Sequence, residues 1–345
     1  MRIHTPTFIL ALASFASAQG FLQISIGVRE TGFAGSAVGT VGADGGTNGG
    51  IEFVNQDAQT LPLDGQWHTF TFDFATDPIT GFAGASANSI LEGTYGVLEH
   101  IRVLNSGGVT APITLLVDDV TDTTTTGGAV NFGDFEAYAP GDLVMFRQAG
   151  FSGSTGTNLM TGSTAAVQNT FPSGVQSYQH DFQFVDNSTT RWARITSFNS
   201  TNLPNPVVRF DDNSVVTFRL LGYTDCQPDL GFQGPGAVNG VFCGDGLNAA
   251  EASTVHFTGA PAGAIGAITV SLFGLPDLPI IGGTVASGAG FLFSIPLFAD
   301  ANGQANLTIG GDATMVDFAL QGVFLDSSVT QGVAFSNAFQ AQFGI

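Results

Sequence analysis

The sequence predicts an all-β protein: a jelly-roll or β-sandwich domain followed by a second, smaller β-sandwich. Three observations carry that expectation. Apolar and polar residues alternate with a period of two in many segments, whereas helical periodicity is almost absent. Clusters of Gly, Asn, Asp and Ser break these segments at intervals of roughly eight to twelve residues, the spacing of sandwich and barrel strands. The 31 Phe residues supply a large apolar payload for sheet cores.

Residues 1–18 read as an export signal. Arg2 and His4 precede the apolar stretch Phe8–Ala13, and Ala16-Ser17-Ala18 fits an A-x-A cleavage site. The stretch is too short to span a bilayer, so the expected product is a secreted, extracellular or cell-surface chain without membrane insertion, beginning near Gln19. Residues 19–224 are expected to form one jelly-roll-like sandwich from two halves, 20–122 and 129–224. The first half opens on Phe21–Arg29, contains the alternating run Thr69–Phe74, and closes on Ile113–Val120. Its one helical pattern, Ile90–His100, runs into the strand-like Ile101–Leu104. Thr121–Gly128 is polar and reads as a flexible linker. The second half runs from Val130–Glu136, through Phe182–Phe184, to Val216–Leu221.

Residues 225–345 form the expected C-terminal sandwich, which holds both cysteines, Cys226 and Cys243. Export permits a disulfide, and only one pairing exists. Closing the Gly/Pro-rich loop between them is worth roughly 3 kcal/mol. No His lies in that loop to support a metal site.

The eight cations are all Arg, against 28 acids, for a net charge of −20. Nucleic-acid binding needs clustered basic residues and is excluded on this balance. An acidic surface suits calcium, other cations or neutral ligands.

Short motifs resemble extracellular carbohydrate-binding modules of the jelly-roll, galactose-binding-like type. These are Trp67-His-Thr-Phe-Thr-Phe72, Val117-Asp-Asp-Val120 and Gly133-Asp-Phe-Glu136. In such modules the D-F-E-like motif opens the fold and the D-D-V strand closes it, so here the resemblance implies a circular permutation. Gly246-Leu-Asn248 and Ser336-Asn-Ala338 make residues 225–345 resemble C-terminal all-β domains of secreted bacterial proteins, which bring no activity with them. The resemblance further implies a structural calcium near the strand ends. Asp134 and Glu136, two apart and read as one strand, would share a side, and Asp118 or Asp119 would complete a set of carboxylates. The competing reading leaves these acids facing water.

A sugar platform needs an exposed ring beside polar groups. In Arg191–Thr196 alternation places Trp192 and Arg194 on one face and Ala193 and Ile195 on the other. Trp192, Arg194 and Tyr178 are the candidate ligand-binding residues, with cation–π packing as the structural alternative for Trp192. Trp67 is expected to plug the core. Hydrolysis would need two facing carboxylates, and pairs such as Glu92 with Glu99 or Asp181 with Asp186 occur in any acid-rich chain. No G-x-S-x-G or H-E-x-x-H motif is present, so no catalytic residue is assigned. Gly42–Gly50 reads as a loop rather than a phosphate cradle, since neither a helix nor a Lys follows. Asn187, Asn199 and Asn306 open glycosylation sequons. The expected function is a secreted, non-catalytic binding or structural protein for polysaccharide or cell-surface glycan, with a structural calcium. The alternatives are an adhesion or scaffold protein without a small ligand, and an extracellular hydrolase.

Overall fold

The computed structural model describes residues 20–32, 50–84, 87–170, 175–197, 206–210, 212–280 and 282–344. Residues 1–18, expected to be an export signal, most of the glycine-rich stretch 42–50 and the sequon at Asn199 lie outside these residues. Twelve strands build the first sandwich: β1 Phe21–Gly32, β2 Ile51–Pro62, β3 Trp67–Asp73, β4 Ile79–Ala83, β5 Tyr95–Leu104, β6 Ile113–Thr124, β7 Gly128–Gly133, β8 Thr164–Thr170, β9 Val175–Phe182, β10 Trp192–Thr196, β11 Val207–Arg209 and β12 Val215–Tyr223. One sheet runs β10-β5-β1-β2-β4, with β11 also on β5. The other runs β3-β12-β6-β9-β8, with β7 also on β6. The pairings are antiparallel.

Both halves of the sequence contribute to each sheet. β10 and β11 pair with β5, and β12 lies between β3 and β6. One hydrophobic core joins them, from Leu22 and Ile24 to Phe218 and Leu220. The Thr-rich run is a hairpin rather than a linker: Thr121–Thr124 pair with β7 and Thr121–Thr123 with β12. Ile90–His100 is not helical: its second part, from Tyr95 onward, belongs to β5, which pairs with β1 on one side and with β10 and β11 on the other, in the middle of a sheet.

The second sandwich comprises β13 Asp225–Cys226, β14 Asp229–Gly231, β15 Asn239–Gly244, β16 Ala252–Thr258, β17 Ile265–Leu272, β18 Leu278–Ile280, β19 Gly283–Val285, β20 Phe291–Phe298, β21 Ala305–Gly310, β22 Val316–Leu325 and β23 Val333–Phe343. Its sheets run β13-β15-β16-β21 and β14-β23-β22-β17-β20, with β18–β19 a separate hairpin. Cys226 and Cys243 face each other across β13 and β15 and form the disulfide.

The two sandwiches meet at the β2–β3 turn. Thr254 Oγ1 donates to the Asp64 carbonyl at 2.7 Å, the His256 ring bonds the Gly65 carbonyl at 2.5 Å through Nε2, and Gln66 reaches Thr308 at 2.8 Å. Gly65 has φ +72°, and a Cβ there would lie 2.2 Å from the Cys243 carbonyl oxygen.

Alternation along β9 turns Tyr178, His180 and Phe182 into the core. His180 is fully buried, and neither ring nitrogen has a hydrogen-bond partner. Burial pushes its pKa down to about 3. Since an unfolded histidine titrates near 6.5, the neutral ring's contribution is complete above that pH. It falls by about 1.4 kcal/mol per pH unit as pH drops from there toward 3. His180→Leu is therefore expected to lose less stability than the native chain between pH 6 and pH 4. Urea unfolding at several pH values checks this, and identical pH slopes would contradict it.

Candidate functional site

The candidate site lies on the outer face of the first sheet. Ala193 and Ile195 of β10 point into the core, so Trp192 and Arg194 point outward. Arg194 stands opposite Arg102 of β5, and Arg102 stands opposite Ser25 of β1. Two like charges in direct register repel unless each has a counterion. The fold supplies both through β-bulges, which re-aim side chains.

The first bulge is in β5. Gly27 pairs with His100 and Val28 with Leu98, which leaves Glu99 as the extra residue. Glu99 is 1% exposed and accepts hydrogen bonds from Arg194 Nη2 and His100 Nδ1, with Arg29 Nη2 at 3.7 Å. Burial alone would raise the Glu99 pKa, but His100 and Arg194 outweigh it and hold it at about 2. His100 is fully buried and its pKa is lowered, by burial first. Its Nδ1 donates to the Glu99 carboxylate. Its ring rests over Gly27, where a Cβ would lie 2.0 Å from His100 Cε1. Only glycine leaves room for the imidazole.

The second bulge is in β2, whose register on β1 jumps between Val54 and Gln59. Asn55 and Asp57 adopt positive φ there, 52° and 56°. This turn aims Asp57 at Arg102, with which it forms an ion pair. The Arg102 guanidinium lies 4.9 Å from the Trp192 ring centre and 5.1 Å from that of Phe53. Burial lowers its pKa to about 10, still far above neutral pH. Phe53 and Phe82 meet Trp192 edge-on at 5.9 and 5.4 Å, and Arg194 covers Phe82. Trp192 is half-buried and held from three sides. The group combines a fixed indole, three guanidinium groups and two carboxylates, a net positive patch on an acidic chain.

Tyr178 does not belong to it. The ring is fully buried, stacks on Phe135 at 5.5 Å, and donates its hydroxyl to the Phe146 carbonyl at 2.7 Å. Burial raises its pKa to about 12. Its position in β9 gives it the core phase, so it cannot reach a ligand.

The four acids chosen for calcium do not form a cage. Arg219 already bridges Asp118 and Asp119, at 2.9 and 2.7 Å. Asp118 is buried, and its pKa is raised to about 7, by desolvation first and then by Asp119. Asp134 and Glu136 lie past the end of β7, so they do not share a strand face. Phe135 between them takes φ +56° and enters the core, which turns both acids outward. Asp134 bonds Asn131, and Glu136 accepts the Gln176 amide. Among the described residues no group of three or more His, Cys, Asp or Glu is placed to hold a metal ion. The cation this position uses is a guanidinium. Arg219 also lies 5.0 Å over Trp67, which sits outside the core that Phe70 and Phe72 fill.

Three of the four carboxylates weighed for hydrolysis are engaged elsewhere. Glu99 is sealed in its ion cluster, Asp186 pairs with Arg191 at 2.8 Å, and Asp181 accepts from Thr114 and Thr164. Sequence reasoning missed Phe53, Asp57, His100 and Arg102, and it weighed Glu99 only as a hydrolytic carboxylate. A signal existed: Leu98-Glu-His-Ile-Arg102 packs three ionisable residues into a buried strand of a chain only 10% charged.

No protein-family model matches the chain, and no curated protein is significantly similar to it. Among the described residues no helix is long and apolar enough to cross a membrane.

Proposed function

We propose that this is a secreted, non-catalytic binding protein whose first sandwich presents the Trp192 platform to an extracellular glycan. One observation carries the reading. Trp192 is partly open to solvent yet fixed by Phe53, Phe82 and the Arg102 guanidinium. A rigid, half-exposed indole stacks on the apolar face of a sugar at little entropic cost. The neighbouring Arg194 offers donors to hydroxyl or carboxylate oxygens. Calcium has no part in this reading, because Arg219 already serves Asp118 and Asp119.

Affinity electrophoresis through gels holding neutral or uronate-bearing polysaccharides tests it. The native chain is expected to be retarded by at least one gel, and Trp192→Ala to lose tenfold or more of that affinity, about 1.4 kcal/mol. Free migration through every gel, or equal retardation of Trp192→Ala, would refute the platform. Unchanged circular dichroism of the variant separates lost binding from lost folding.

A scaffold or adhesion role is the second reading. It is favoured by the open apolar face of the second sandwich: Phe298 is 69% exposed and Leu325 58%.

A further inference from the structure

The residue before β1 ties the two sandwiches together a second time. The Gly20 carbonyl accepts the Leu63 amide of the first sandwich at 2.9 Å, and the Gly20 amide donates to Asp245 Oδ2 of the second at 2.5 Å. A Cβ on Gly20 would lie 3.1 Å from that oxygen and 3.4 Å from Leu63 Cδ1, so the chain enters β1 in contact with both sandwiches.

Asp245 lacks a counterion. It directly follows β15, and its Oδ1 is buried without a hydrogen-bond partner. Among the described residues no ion pair reaches it. The charged groups that act on it are acids: Glu251, which accepts the Asn248 amide, and Asp64, which holds His68 at 3.0 Å. Burial pushes the Asp245 pKa up to about 6; Glu251 and Asp64 push the same way, and the Gly20 amide opposes them. A carboxylate partly withdrawn from water among like charges is stabilised by a cation close at hand.

The chain can make that cation itself. In the uncut chain Gln19 is joined to Ala18 through a neutral amide. Hydrolysis of this bond gives a carboxylate on Ala18 and an ammonium on Gln19, with one water consumed. Successive backbone nitrogens lie at most about 3.7 Å apart, so the new charge arises within about 6 Å of Asp245 Oδ2. At that range opposite charges favour the ionised form of both groups. We infer that the α-ammonium of Gln19 is the counterion of Asp245, so that removal of the leading segment is a maturation step that completes the junction between the sandwiches. The inference rests on the reading of residues 1–18 as an export signal cut after Ala18, and it is independent of the glycan platform.

Amine labelling tests it. The chain contains no Lys, so the terminal amine is the only one present and can be followed alone. Mass spectrometry of the exported chain fixes where it begins. An N-hydroxysuccinimide ester then acylates the amine at neutral pH, and only the unprotonated form reacts. The chain that begins at Gln19 should be acylated at least about tenfold more slowly than its Asp245→Asn variant. It should also melt at a higher temperature than a chain that keeps Ser17 and Ala18 ahead of Gln19, and Asp245→Asn should cancel that difference. Equal acylation rates with and without Asp245 overturn the inference. So does a Gln19 found cyclised with loss of ammonia, which carries no charge. An exported chain that begins at another residue overturns the reading of residues 1–18 and the maturation step with it; a chain cut in vitro to begin at Gln19 shows separately whether the ammonium pairs with Asp245. If Asp245→Asn fails to fold, the chain that keeps Ser17 and Ala18 supplies the comparison, because its amine is moved away from Asp245 and should react at the faster rate.

Discussion

Replacing Glu99 by alanine is expected to destabilise the chain by about 3–5 kcal/mol. The carboxylate is 1% exposed and is the shared partner of Arg194, Arg29 and His100. Its loss leaves guanidinium groups on a desolvated face without the charge that holds them. Removing one member of a buried ion group costs far more than the group itself contributes, because the others cannot return to water. Glu99→Gln keeps an oxygen acceptor and should fall between the native chain and Glu99→Ala. The pH response has a definite sign. Glu99 is held at about 2, below its unfolded value of 4.5, so its contribution is complete above pH 4.5 and declines as pH falls toward 2. Urea denaturation followed by tryptophan emission measures both effects. A loss below about 1 kcal/mol for Glu99→Ala would show that water or a rearranged neighbour can replace the carboxylate.

The second large effect is expected at Gly65. Alanine there must adopt φ +72° and place its methyl group 2.2 Å from the Cys243 carbonyl oxygen. The positive φ costs about 1 kcal/mol, and the clash is with backbone, which cannot swing aside. The turn must withdraw from the second sandwich. Its withdrawal breaks the bonds from Thr254 to the Asp64 carbonyl and from His256 to the Gly65 carbonyl. Calorimetry of the native chain should show one cooperative transition. In Gly65→Ala the two sandwiches should melt separately, with a total loss of at least about 2 kcal/mol. A variant that keeps a single transition at the native temperature would mean the turn does not couple the sandwiches.

The all-β class and the disulfide were legible because both rest on local information. Alternation along Thr69–Phe74 and Val216–Leu220 marks strands whatever they pair with, and two cysteines leave a single pairing. The placement of Trp192 and Arg194 on the face opposite Ala193 and Ile195 followed from the same alternation. The candidate site as a whole was not legible. Glu99 and His100 are consecutive and would take opposite faces in a regular strand; the β5 bulge puts them together. Asp57 reaches Arg102 only through the left-handed turn in β2. The left-handed turn in β2 has no glycine to announce it, and the glycine at the other irregularity, Gly27, lies on the partner strand β1 rather than on β5. Tyr178 was misplaced because an aromatic residue among Ser, Gln and His reads as polar-faced, whereas β9 buries that phase against Phe135 and Phe146. The placement of the four acids was not legible for a related reason: their pattern gave no sign that Arg219 would be delivered between Asp118 and Asp119 by β12.

The position of β12 has a consequence for biogenesis. This strand is the last of the first sandwich in the chain and the only one that joins β3 to β6. A polypeptide emerging from its amino end therefore cannot zip up the sheet progressively. Until Val215–Tyr223 has appeared, β3 has no paired strand among the described residues, and Phe70 and Phe72 lack the Phe218 ring on which they stack. The first sandwich therefore closes late in the chain, only once β12 has joined β3 to β6.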